Sequence, residues 1–132
     1  MRKLNILELN RPDVETFRRM PKVPITLVLD NIRSGLNVGS AFRTADTFAL
    51  EQIVLCGITA QPPHREILKT AIGATASVAW KYRERTLEAV RELQREGYEV
   101  IAVEQTDESV PLSRFEVEAN KKYALVFGNE VE

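Results

Sequence analysis

The sequence predicts an α/β domain, a mostly parallel sheet flanked by helices. Short continuous apolar runs rich in branched residues recur along it, "ITLVLD", "QIVLCG", "YEVIAVE" and "YALVFG", and such runs read as strands buried on both faces. Between them lie windows with apolar residues at helical spacing. Strands alternating with amphipathic helices argue for parallel pairing through right-handed crossovers.

Taken in order, "RPDVETFRRM" carries Pro12 near a helix start, acids Asp13 and Glu15 in the first turn, and Val14 and Phe17 on one face. It predicts an N-terminal helix. Ile25 to Asp30 form the first core strand, followed by a helix from Val38 to Ala49 with Val38, Ala41, Phe42, Ala45, Phe48 and Ala49 on its apolar face. "QIVLCG" is the next strand, "REILKTAIG" a shorter helix and "SVAWKY" what it leads into. Leu87, Val90 and Leu93 mark one helix face, with Gly97 as its C-terminal stop. "YEVIAVE" and then "YALVFG", Tyr123 to Gly128, complete the strands.

Composition bounds the function. A chain of 132 residues, 44% hydrophobic and 28% charged, suits one globular domain able to bury a core without staples. Its lone cysteine, Cys56, excludes an intramolecular disulfide framework and lies in strand-like apolar surroundings, the setting of a buried inert thiol. No apolar run has the length of a signal peptide or a membrane span, so a cytoplasmic protein with no membrane partner is expected. A net charge of −1 gives no overall attraction to nucleic acid. Basic clusters at Arg18, Arg19 and Lys22 and at Lys81, Arg83 and Arg85 are local, and such clusters are more often solvated faces than RNA surfaces. His64, in "QPPHRE", has no companions for a metal site and reads as a loop histidine.

Two loops stand out. In "NIRSGLNVGSAFRTAD", Asp30 and Asn31 end a strand, Gly35 permits a tight turn, Asn37 is the expected N-cap and Gly39 admits another backbone or a ligand. Arg43 lies off the apolar stripe near the helix start, its fork free to meet a phosphate or carboxylate; a surface pairing with Asp46 or Asp30 is the alternative. "LVFGNEVE" ends a strand with Gly128, Asn129 and Glu130, where a glycine lets a ligand pass close to the backbone and an acid accepts hydrogen bonds from a ribose or an amine. A plain turn would use the same residues.

Together, "NVGSAFRTAD" and "VFGNEVE", with "KTAIGATASVAWKY" between them, resemble the first two motifs of the SpoU (TrmH-like) branch of the SPOUT RNA methyltransferases. The resemblance runs from about Ile25 to the last residue. It implies methyl transfer from S-adenosylmethionine to a ribose 2′-hydroxyl of tRNA or rRNA, a homodimer with its site near the subunit interface, and a cofactor pocket made by a trefoil knot. Arg43 then matches the catalytic arginine, Asn37 the motif-one asparagine and Glu130 the motif-two glutamate. Gly128, Asn129 and Glu130 fall to the cofactor, and Arg43, Asn31, Arg33 and Ser40 to the RNA. No metal is required. The family's third motif is expected beyond Glu132, so residues 1–24 are read as a helical arm and 25–132 as a methyltransferase domain incomplete at its C-terminus, lacking the knot-forming part. Two other classes remain open. One is a catalytically dead RNA-binding or dimerisation module; the other is an unrelated nucleotide-binding α/β protein, for which neither G-x-G-x-x-G nor Walker A is present.

Overall fold

The computed structural model of the chain describes residues 13–104 and 109–128. Helix α1 (Val14–Arg19) begins at Asp13, whose Oδ1 accepts the Thr16 amide at 2.7 Å. Strand β1 (Val23–Asp30) leads into α2 (Gly35–Thr47), then β2 (Leu50–Cys56), α3 (Arg65–Ala71), α4 (Ala74–Ser77) and β3 (Trp80–Arg83). Helix α5 (Thr86–Arg95), β4 (Tyr98–Val103) and β5 (Lys122–Gly128) follow. The four strands foreseen in the sequence are present, β3 begins within "SVAWKY", and the five form one sheet in the order β3-β2-β1-β5-β4 with all pairs parallel.

Alternation along the strands divides the interior in two. On one face Leu27, Leu29, Ile53 and Leu55 pack with Val38, Phe42 and Ala45 of α2 and Ile67 of α3. On the other, Val28, Val54, Cys56 and Ala124 pack with Ala89 and Leu93 of α5. Each large side chain so buried contributes roughly 1.5–3 kcal/mol. The central strand β1 is covered on both faces, which is why its sequence is continuously apolar. Edge strand β3 is half-buried throughout.

Four local expectations are corrected. The N-cap of α2 is Ser34, whose Oγ accepts the Asn37 amide at 3.2 Å, so Asn37 sits inside the first turn. The helix ends at Thr47; Phe48 is 64% exposed and Ala49 takes φ +53° as the chain swings into β2, so neither belongs to the apolar face. The "REILKTAIG" helix is interrupted, because Ile72 and Gly73 both adopt left-handed backbone and α4 restarts beyond them. On α5 the buried stripe runs through Ala89 and Leu93, leaving Leu87 59% exposed. Small Ala89 is what lets this helix lie close on the sheet.

Candidate active site

The two loops singled out in the sequence meet. β1 and β5 are neighbours, and Asp30, at the end of one, is in register with Gly128, at the end of the other. This is also where the strand order reverses, since β2 and β3 lie to one side of β1 and β5 and β4 to the other. Open α/β sheets bind ligands in the crevice outside their strand ends at such a switch point.

A groove of about 740 Å³ opens from that crevice along the α2 face of the sheet. Its floor is apolar, built from Ile25, Leu27, Leu29, Leu125 and Phe127, and its rim is polar, built from Arg33, Ser34, Asn37, Ser40 and Thr44. Gly128 closes one end. The helical period produces the rim: residues 37, 40, 41 and 44 share one flank of α2, roughly 150° around the helix from the buried line 35, 38, 39, 42 and 45.

Gly39 has a structural use. A Cβ there would stand 2.0 Å from Thr70 Oγ1 and 2.3 Å from the Ile67 carbonyl of α3, so the glycine seats one helix against another and is not an opening for ligand. Gly35 also lies close to α3, its hypothetical Cβ 2.7 Å from that of Glu66. Gly35, expected in a tight turn, is instead the first residue of α2 and meets α3 one turn before Gly39 does.

The candidate side chains divide into two groups. Arg33, Asn37 and Ser40 are exposed on the groove rim, with Ser40 Oγ donating to the Leu36 carbonyl at 3.1 Å. Arg43 is exposed and lies outside the groove lining, on the solvent side of the same helix. Among the described residues it has no ion-pair partner. Asp46 instead accepts from Ser77 Oγ at 2.8 Å, and Asp30 accepts from Thr86 Oγ1 and from Asn31 Nδ2. The surface pairing considered for Arg43 is therefore not formed. Asn31 is engaged within the chain, its Oδ1 accepting the Ile58 amide at 2.9 Å. Asn129 and Glu130 lie outside the described residues.

Around Gly128 there is room. The nearest described atoms to a Cβ placed there are Asp30 Oδ2 at 3.9 Å and Glu104 Oε1 at 4.0 Å. The two carboxylates provide acceptors for hydroxyl or amino groups of a ligand. Glu104 was not anticipated, because only the pairing of β4 with β5 brings its strand end beside Gly128.

The basic clusters are largely spent internally. Glu92 takes Arg83 through two hydrogen bonds of 3.0 Å and Lys81 through one of 3.2 Å, and these cations hold its carboxyl down to about 2. Lys22 donates to the carbonyls of Phe17 and Met20 at the end of α1, and Arg19 pairs with Glu15. His64 is the N-cap of α3, its Nδ1 accepting the Glu66 amide at 3.1 Å. Cys56 is fully buried, and burial pushes its thiol up. No helix among the described residues is long and apolar enough to cross a membrane.

Comparison with known proteins gives this geometry a family. A profile described as the SpoU rRNA Methylase family matches residues 24–132. The fold is similar to that of an rRNA methyltransferase from Sinorhizobium meliloti, at 26% identity and a TM-score of 0.74 over 87% of this chain and 44% of that one. An AdoMet-bound rRNA methyltransferase from the same organism gives 25% identity and a TM-score of 0.74, with 87% and 44% covered. A TrmH/SpoU tRNA modifying enzyme from A. aeolicus gives 20% identity and a TM-score of 0.72, with 90% and 60% covered; that likeness bears on the fold alone. The chain thus spans 44% of the length of the Sinorhizobium enzyme and 60% of the A. aeolicus one. A comparison with curated protein sequences finds no match.

Proposed function

This chain belongs to the SpoU rRNA methylase family, and from that premise we propose that it serves S-adenosylmethionine-dependent methylation of a ribose 2′-hydroxyl in tRNA or rRNA. The observation that carries the reading is the meeting of the two loops, Asp30 in register with Gly128, beside a groove that Arg33, Asn37 and Gly128 line together. Homodimerisation comes with the family resemblance and belongs to the same proposal.

The residues present suit the cofactor. The groove has the volume of a nucleoside-binding cleft, the backbone at Gly128 is accessible, and the Asp30 and Glu104 carboxylates flank it. Gly128, with Asn129 and Glu130 by resemblance, would hold S-adenosylmethionine. When bound, it supplies an electrophilic methyl group on a sulfonium sulfur. The chain's own residues have the other tasks. A ribose hydroxyl is a poor nucleophile, so its oxygen must be oriented and its developing negative charge stabilised. Arginine does not deprotonate readily and is unsuited to act as a simple base. An exposed Arg43, with no ion-pair partner among the described residues, instead offers a planar fork to the alkoxide and the neighbouring phosphate, leaving the proton to depart through that phosphate or water. Such preorganised stabilisation is worth roughly 3 kcal/mol by comparison with an oxyanion-hole donor. Asn37 and Arg33 on the rim, with Ser40, orient the RNA backbone.

The test is calorimetric titration of S-adenosylmethionine into the chain, followed by methyl transfer to RNA by the chain and its Arg43→Ala and Arg43→Lys variants. Saturable cofactor binding by all three is expected, with transfer lowered on the order of 100-fold in both variants, because lysine lacks the fork. A folded chain that binds no cofactor overturns the reading for this polypeptide. Near-normal turnover with lysine removes the role given to the guanidinium.

A further inference from the structure

The loop after β2 contributes nothing to the groove lining, yet it is tied to the motif-bearing loop after β1 by a dense set of hydrogen bonds. Thr59 is at their centre. It is only 3% exposed, one of few buried polar side chains among the described residues. Its Oγ1 donates to the Leu29 carbonyl at 3.1 Å and accepts the Ile32 amide at 2.9 Å. A four-residue turn ordinarily joins its first carbonyl to its fourth amide directly. Here the threonine hydroxyl stands between the two and completes the turn from another strand.

Asn31, inside that turn, fastens it from the other direction. Its backbone is left-handed at φ +52°, its amide donates to the Cys56 carbonyl at 3.2 Å and its Oδ1 accepts the Ile58 amide at 2.9 Å. Gly57, at φ +65°, lies against it so closely that a Cβ would fall 1.9 Å from Asn31 Oδ1. Tyr82 steadies the receiving loop from β3, its hydroxyl donating to the Gly57 carbonyl at 2.7 Å. Two residues beyond Ile32 the chain reaches Ser34, the cap of α2. The placement of Arg33 and of the first turn of α2 therefore follows from where this turn is held.

We infer that Thr59, working with Asn31, is a positioning residue that sets the β1–α2 loop and thereby aims Arg33 and Asn37 at the groove. The inference deepens the proposed methyltransferase reading and, for its functional consequence, rests on it. Valine is the discriminating replacement for Thr59, having the same shape and no hydroxyl, so that the Leu29 carbonyl and Ile32 amide lose their shared partner at a buried site. Serine keeps the hydroxyl and restores the bridge.

The experiment uses the full chain as wild type, Thr59→Val and Thr59→Ser, with amide hydrogen exchange resolved by residue and binding of a bulk tRNA pool followed by fluorescence anisotropy. In Thr59→Val the Ile32 and Asn37 amides are expected to exchange roughly tenfold faster, with amides of β2 and β5 unchanged. RNA affinity of Thr59→Val is expected to fall several-fold below that of wild type, and Thr59→Ser is expected to behave as wild type in both respects. Unchanged exchange between residues 31 and 37, or acceleration spread evenly over the sheet, overturns the positioning role. Wild-type chain that binds no RNA counts against the proposed function alone, since the exchange pattern still decides the role of Thr59. Should Thr59→Val not fold, Asn31→Gly keeps the left-handed backbone and removes the tie to Ile58. It is expected to release the Ile58 and Ile32 amides together, and failure to do so refutes the clamp.

Discussion

At the scale of single residues, chemistry follows from which side chains are left without partners. Among the described residues Arg43 has no ion-pair partner, Asp46 being taken by Ser77 and Asp30 by Thr86 and Asn31. The sequence offered Arg43 either acid as a surface partner but not that both were occupied, as Ser77 and Thr86 lie 31 and 56 residues away from their partners. Arg83 and Lys81 show the converse, cations that a sequence count offers to RNA and that the fold commits to Glu92. This triad sets a pH dependence. Hydrogen bonds from Arg83, then Lys81, lower the Glu92 carboxyl from 4.5 to about 2. A depressed carboxylate stabilises the fold fully above its unfolded pKa and loses that contribution as pH falls through the folded one. Glu92→Gln is therefore expected to be less stable than wild type near neutral pH, with the gap closing as pH approaches about 2. Urea midpoints measured at both ends of that range check this; an equal gap at both would refute it.

At the scale of elements, α2 is the piece that joins packing to function. One line of it, from Val38 to Ala45, is buried; the next flank carries the groove rim; and Gly35 and Gly39 press against α3. The apolar line was legible because period 3.6 is written in the side chains themselves. The cap was misplaced by three residues, since Ser34 and Asn37 are both good capping types and only backbone geometry selects between them. Gly39→Ala tests the helix contact. Alanine gains about 1 kcal/mol of helix propensity, but its Cβ at 2.3 Å from the rigid Ile67 carbonyl forces the helices apart. Overpacking of this severity outweighs the gain, for a net loss of roughly 2 kcal/mol. A lower urea midpoint at unchanged slope is expected, and a midpoint at or above wild type would show that α3 yields freely.

At the scale of the whole molecule, the described helices cover the sheet unevenly. Helices α2, α3 and α4 pack over β1 and β2, while Leu125 and Phe127 of β5 remain half-buried on the groove floor. An apolar cleft of this size is expected to bind 8-anilinonaphthalene sulfonate saturably in the native chain, with several-fold enhanced fluorescence that Leu125→Gln diminishes. Fluorescence that appears only on unfolding would mean the groove is closed in solution. What the sequence by itself determined was four of the five strands, the helical windows between them, the parallel pairing, the buried state of Cys56 and the motifs that place the chain in its family. These depend on periodicity and on residue types a few positions apart, which the chain displays directly. Tertiary structure alone decided that Asp30 and Gly128 become register partners, that Glu104 arrives beside them, and that Thr59 closes a turn belonging to another strand. Those relations join residues far apart along the chain. Strand order and register, settled by how two faces of one sheet bury their side chains against different helices, are what bring them together.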